Sequence, residues 1–323
     1  MSALPRLALP LAASLCAAFA GSPAAAQQAS SQPLRIVVAF PAGGFADNVA
    51  RLVADKLEGK LKQTVVVENR GGAAGNLAAR AVAQGAADGQ TVLITTTASA
   101  ISPTLYKNPG YGPGDLRVVS VVGSAPESIV VHPNNPAKDL KEFVAQAKKD
   151  KLTYGTAGVG TGSYISATYL FKELAKVDLT HVPFQGGAGA TNAILGNHVT
   201  AIALTVSPLI PHIQQGKMKA LGIAAAKRSA ALPNVPTYIE SGFTDFTAAS
   251  WVGLFVPSKT ADAQVDRLNG AVNDILKEPD VRERLARFGL EPMSGNSKQM
   301  AAFYQAEVAK WGKMVTTLGM KIE

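Results

Sequence analysis

IVVAFPAGGFADN, residues 36–48, decides the fold, because an apolar strand runs straight into a Pro-Ala-Gly-Gly turn that then opens a helix. Such a strand-to-helix turn points bare backbone N–H groups at whatever lies above it. LTYGTAGVGTGSY, residues 152–164, repeats the arrangement: a short strand, a Gly-rich turn and a helix start. Two anion cradles in one chain point to a ligand held between two lobes.

Working outward, β-branched runs at residues 35–39, 64–67, 91–96, 117–122, 128–131, 180–184, 199–204, 220–225 and 251–256 alternate with segments of helical period. After the first turn Val49, Leu52, Val53 and Leu57 fall at helical spacing, and after the second Ala167, Leu170, Phe171 and Leu174 do the same. Each helix is thus expected to bury one stripe against a sheet. The alternation predicts an α/β architecture with mostly parallel sheets, whose ligands sit beyond the carboxyl ends of strands, where both Gly-rich turns lie. Pro-rich segments at 124–136 and 243–250 are read as the places where the chain crosses between lobes and returns. Lobe 1 is then 27–125 plus 250–323, with closing helices at 262–277 and 297–318, and lobe 2 is 126–249.

At the N-terminus, residues 7–20 form an apolar run after a single basic residue, Arg6, and Ala24-Ala25-Ala26 follows as a small-residue cleavage site. Residues 1–26 read as a cleavable signal peptide, too short in its apolar run to span about 30 Å of hydrocarbon, which places the mature protein in the periplasm. The single cysteine, Cys16, lies inside that signal, so the mature chain has neither a disulfide framework nor a thiol nucleophile. A hydrophobic content of 47% excludes a disordered chain. The net charge is +8, or +7 without Arg6, and mildly attracts anions. Nucleic acid is a poor partner: the basic residues are dispersed and aromatics make up only 6%.

Enzymatic readings lack their residues. His132, His181, His198 and His212 are 49, 17 and 14 residues apart, with no metal-ligand spacing. The 158–162 turn, GVGTG, is neither a dinucleotide fingerprint nor a phosphate-binding loop with its lysine, and no serine sits in a nucleophile elbow. A periplasmic hydrolase and a binding protein for an inorganic oxyanion remain as alternatives, the latter because phosphate uses similar N–H cradles. No catalytic residue, metal or cofactor is expected.

Taken together, IVVAFPAGGFADNVARLVADKL, VVVENRGGAAGN, AADGQTVLI, LTYGTAGVGTGS, VDLTHVPFQGG, PHIQQGKMKALGI, KRSAALPNVPTYIESG and WVGLFVPS resemble, in order and spacing, the solute-binding proteins of tripartite tricarboxylate transporters, the Bug or TctC-like family. The resemblance implies a two-lobed, type II-like periplasmic binding protein of Venus-flytrap form. It also implies a small organic carboxylate (a di- or tricarboxylate or an aromatic carboxylate) in the cleft, delivery to inner-membrane permease subunits, and a monomer. The two loops carried over as the carboxylate cradle contain Ala42, Gly43, Gly44, Phe45 and Asp47 on one side. On the other side they contain Gly160, Thr161, Gly162, Ser163 and Tyr164. Further loops at 96–102 and 184–190 imply contacts to the distal end of the ligand, with Thr97, Ser99, Phe184 and Gln185 as candidates, joined by Thr205 at a strand end.

The residues add a constraint of their own. None of the loops 42–48, 95–102, 155–164 and 184–192 holds a Lys, Arg or His, so a bound anion is expected to rest on neutral donors and helix N-termini. Asp47 reads as a helix N-cap and an orienter of bound water, and Ser163 as an N-cap or an anion donor. Phe45 is expected to face the cleft, whereas Phe184 is divided between cleft and core. Relatives often carry an acid where this chain has Leu204, so a ligand ammonium is expected to lack a partner here.

Overall fold

The computed structural model describes residues 32–112 and 114–323, and the signal peptide and Cys16 lie outside them. The first half-sheet is built from β1 (Leu34–Val38), β2 (Val65–Asn69) and β3 (Thr91–Thr96), with α1 (Phe45–Leu61), α2 (Asn76–Ala83) and α3 (Ala98–Leu105) between and after them. The 16-residue strand β4 (Leu116–Val131) follows. Then come α4 (Leu140–Ala147), β5 (Thr153–Thr156), α5 (Gly162–Thr168), β6 (Thr180–Pro183), α6 (Gly187–Leu195), β7 (Ala201–Thr205), α7 (Ile210–Gln214) and β8 (Lys219–Ile223). The chain closes with β9 (Ala249–Pro257), α8 (Asp262–Ile275), α9 (Pro279–Arg287), the two-residue β10 (Glu291–Pro292) and α10 (Ser297–Thr317).

The strand order is β2-β1-β3-β9-β4-β7-β5-β6, with β8 and β10 also paired to β4. The wings are parallel, β1 with β2 and β3, and β5 with β6 and β7. The centre is antiparallel, since β9 runs against β3 and β4, and β4 runs against β7, β8 and β10. The expectation of mostly parallel sheets is thus corrected. Parallel pairs need helical crossovers, which the wings have, whereas β9 returns from the far half of the chain and enters the sheet in the opposite sense.

A second correction concerns β4. Residues 117–122 and 128–131, read as two strands with a crossing segment between them, are one strand. Its first part pairs with β9 as far as Pro126↔Ala249, and its second part pairs with β7 from Glu127↔Thr205 onward. The strand itself carries the chain from one half of the molecule to the other. Pro126 lies at the change of partners, where its missing N–H costs the ladder little; its carbonyl accepts from Val206 N at 2.9 Å.

The α1 stripe packs as the spacing predicts: Val49, Leu52, Val53 and Leu57 are fully buried against Val265, Leu268 and Val272 of α8 and the apolar face of β1. Burial of four such side chains contributes on the order of 6–12 kcal/mol. The second stripe holds only in part. Ala167, Leu170 and Phe171 are buried but Leu174 is 37% exposed. Residues Tyr169–Leu174 wind as a π-helix; the wider turn rotates Leu174 away from the face that i+4 spacing assigns to it.

The candidate ligand cleft

The first loop joins β1 to α1. Gly43 takes φ +80°, the left-handed region that favours glycine, and Gly44 is the N-cap at φ −87° with no side-chain cap. The first-turn N–H groups of α1 have no intrahelical partners, and Gly44, Phe45 and Ala46 line a cavity there. Asp47 is not the cap. It stands inside the first turn, buried, and its carboxylate accepts from Gly43 N at 2.9 Å, Arg51 Nε at 3.0 Å and Asn69 Nδ2 at 2.8 Å. Burial works to raise its pKa, but hydrogen bonds from Arg51, the Gly43 amide and Asn69 outweigh it and hold the carboxyl below its ordinary value. Asp47 therefore folds the loop from behind and does not line the cavity.

The second loop joins β5 to α5. Here the N-cap is Thr161, not Ser163: Thr161 Oγ1 accepts from Tyr164 N at 3.3 Å and donates to Gly158 O at 2.7 Å. Ser163, in the first turn, shares a 3.0 Å hydroxyl contact with Thr161, and Thr161, Gly162 and Ser163 line the same cavity as the first loop. The loops also meet across the cleft. A β-carbon on Gly160 would stand 3.0 Å from Ala74 Cβ and 2.7 Å from Tyr106 Oη, and one on Gly186 would stand 3.4 Å from Pro41.

The cavity is about 60 Å³ and is lined by residues from both halves of the chain. Phe40, Pro41, Ala42, Gly44, Phe45, Ala46 and Thr96 come from one side; Ala157, Thr161, Gly162, Ser163, Gln185, Gly186, Gly187, Ala188, Leu204, Thr205 and Pro208 come from the other. Glu127 and Ser250, where β4 and β9 cross between the halves, complete the lining. No Lys, Arg or His is among these residues. An anion here would meet no cationic side chain, and its donors would be neutral groups.

Several candidates lie elsewhere. Gly43 and Gly160 shape their turns without lining the cavity. Thr97 is buried with its hydroxyl accepting from Trp251 N at 3.0 Å, and Ser99 donates to Thr96 O at 3.0 Å. Both hydroxyls are occupied by backbone, and it is Thr96 that reaches the cavity. Tyr164 packs at a tilt against His181, with ring centroids 4.5 Å apart. Thr156 Oγ1 lies 2.8 Å from His181 Nε2, and burial lowers the imidazole to about 4. Phe184 packs over Gly155 and Gly189 and faces a neighbouring pocket of about 370 Å³, which continues past Pro41, Gln185 and Gly186 toward Ala74 and Tyr106.

Glu127 and Ser250 are absent from the sequence-derived candidates. Leu204 lines the cavity, but the adjacent strand brings an acid beside it after all, so the absence of an acid at Leu204 does not leave the cleft without one. Glu127 is 1% exposed. Burial pushes its carboxyl up to about 8, against the opposing effect of the 2.5 Å hydrogen bond with Ser250 Oγ. The available signal was charge: after Arg117, Glu127 is the sole ionisable residue in the run VVSVVGSAPESIVV, residues 118–131.

The chain is similar to known proteins. The sequence pattern of the tripartite tricarboxylate transporter family receptor matches residues 49–320. The chain is similar to the periplasmic binding protein BugD, with 32% identity, a TM-score of 0.85, and coverage of 90% of this chain and 99% of that one. A Rhodopseudomonas palustris protein solved with adipate gives 30% identity and a TM-score of 0.86 over 90% of this chain and 98% of its own. MatC from the same organism, solved with bound malate, gives 34% and 0.81 over 88% and 98%.

Proposed function

The chain belongs to the tripartite tricarboxylate transporter receptor family, the Bug or TctC-like solute-binding proteins, and on that premise we propose that it captures a small organic carboxylate in the periplasm and delivers it to the family's inner-membrane permease. The observation that carries the reading is the shared cavity: two strand-turn-helix loops from opposite halves of the chain line one space that contains no cationic side chain. A carboxylate there would accept from first-turn amides of α1 and α5 and from the Ser163 hydroxyl turned away from Thr161, whose own proton is given to Gly158 O. Charge-assisted hydrogen bonds of this kind contribute about 1.5–3 kcal/mol each, so a handful supplies the affinity a transport receptor needs without an arginine. Ala42, Gly44, Phe45, Gln185 and Thr205 would complete the contacts. That relatives were solved with adipate and with malate supports an aliphatic dicarboxylate as the first class to test.

The lobes are taken as 27–125 with 250–323 and 126–249, which agrees with the change of strand partners at Pro126–Glu127. Removal of residues 1–26 would release a monomer into the periplasm; among the described residues no helix is long and apolar enough to cross a membrane. A hydrolase would need a nucleophile with a base, yet of the cavity's two buried serines Ser163 contacts the Thr161 hydroxyl, Ser250 pairs with an acid whose pKa burial raises, and no histidine lines the space.

The test is binding to the mature protein, freed of carried-over ligand by unfolding and refolding. Thermal denaturation and calorimetry with succinate, malate, glutarate, adipate, a phthalate isomer, nicotinate and inorganic phosphate should show a carboxylate raising the melting temperature by mass action. A response to phosphate alone, or to none of them, would overturn the reading.

A further inference from the structure

Glu127 is unusual among the residues of the cleft. Six buried side-chain polar atoms among the described residues have no hydrogen-bond partner, and Glu127 Oε2 is the one of these that belongs to the cavity lining. Its other oxygen, Oε1, is held by Ser250 of β9 and lies 3.1 Å from where a β-carbon on Gly162 would stand. The acid therefore sits beside the turn that holds the ligand's carboxylate in the reading above.

The groups facing it decide its protonation. From β9 comes the Ser250 hydroxyl; from β7, directly opposite in register, comes Thr205; from the second loop come Thr161 and Ser163. The buried phenol of Tyr238, near enough to feel the Glu127 charge, is itself pushed well above its ordinary pKa, first by burial and then by that charge. None of these is a cation, and the cavity lining holds none. An ionised Glu127 would be a buried, uncompensated charge, and a second carboxylate placed next to it would meet direct repulsion. Carboxyl pairs in such enclosures share a proton.

We propose that Glu127 is a specificity-determining residue of this cleft, present as the carboxylic acid and donating its Oε2 proton to an acceptor oxygen of the bound organic anion. The unpartnered oxygen is then explained as a donor awaiting its acceptor. Capture follows the protonated fraction of the cleft, and a ligand that brings an ammonium group to this point finds a donor facing a donor.

This rests on the carboxylate reading, and one experiment separates the two. The tightest of succinate, malate, glutarate and adipate is titrated calorimetrically into wild type, Glu127→Gln and Glu127→Ala between pH 6 and pH 9.5, with glutamate as the ammonium-bearing competitor. Because the carboxyl is pushed up to about 8 by burial, wild-type affinity should fall by about 30-fold over that range. Glu127→Gln, which keeps a donor of the same shape, should bind as wild type does at pH 6 and show no fall. Glu127→Ala should be weaker than Glu127→Gln at every pH and equally flat, with its melting curve reporting whether it is folded. Binding that is flat in wild type, or that falls equally in wild type and Glu127→Gln, overturns the proposal while leaving the carboxylate reading intact. So does tightest binding of glutamate with its loss in Glu127→Gln. Binding of none of the acids overturns both.

Discussion

Gly44→Val tests the cradle where the structure isolates backbone approach from everything else. At φ −87° and ψ −179° Gly44 is extended backbone that any residue adopts. A β-carbon there would meet only Pro41 O, at 3.6 Å. The folded protein thus has room for valine, and the reduced freedom of the unfolded chain offsets part of any strain, by up to about 1 kcal/mol for such replacements. The isopropyl group would occupy the mouth of the α1 first turn, where a carboxylate oxygen must come within hydrogen-bond distance of the N–H groups. Losing one charge-assisted hydrogen bond of about 1.5–3 kcal/mol weakens binding by roughly 10- to 150-fold, and losing two abolishes it in practice. Calorimetry should show that loss with an unchanged melting temperature in the absence of ligand. Wild-type affinity, or an affinity loss matched by unfolding, would refute the reasoning. Gly162→Val is the poorer probe: its β-carbon would stand 2.5 Å from Ser250 Oγ and 3.1 Å from Glu127 Oε1, so it strikes the protein before it blocks the ligand.

Further outcomes are expected. Asp47→Ala leaves the Gly43 amide without its acceptor and the Asn69 amide with Phe40 O alone, and should cost about 1–3 kcal/mol of stability, read by denaturant unfolding; a loss below about 0.5 kcal/mol would remove Asp47 from its role in folding the loop. His181, neutral when folded with its pKa lowered to about 4 by burial, titrates near 6.5 when unfolded. Its contribution is complete above pH 6.5 and declines as pH falls toward 4, so the acid limb of the melting curve should be shallower in His181→Gln; equal slopes would contradict the assignment. Ligand should lower the radius of gyration in small-angle scattering, because Gly160 and Gly186 meet Ala74 and Pro41 only with the lobes together. An unchanged radius at saturation would argue for a rigid pocket.

Features set by neighbours in sequence were legible in the chain. Both turns, the α1 stripe and the β3 strand follow from glycine placement and periodicity within a dozen residues. The caps were misplaced by two or three positions, because Asp47 and Ser163 are capping residue types whose side chains found other partners, Asp47 across the fold at Asn69 and Ser163 at the neighbouring Thr161. Leu174 went astray for a different reason: the helix changed its pitch beneath a correct pattern. The antiparallel centre, the continuity of β4 and the presence of Glu127 in the cavity all depend on pairings between residues about 70 to 170 apart, such as Glu127 with Thr205, Ala125 with Ser250 and Leu93 with Phe255. No local pattern encodes those partners.

The unbroken course of β4 has a mechanical consequence. A linker of loose chain lets two bodies tumble, slide and separate, whereas a strand hydrogen-bonded on both sides of Pro126–Glu127 admits bending and twisting about one short axis. The molecule then has, to a first approximation, a single coordinate, the angle between its halves. Glu127 lies on that axis with the Gly162 turn against it, so a rotation at the pivot moves the outer rims of the two halves further than it moves the cradle beside it. A permease that reads the spacing of the two rims would thereby read occupancy itself, without touching the cargo.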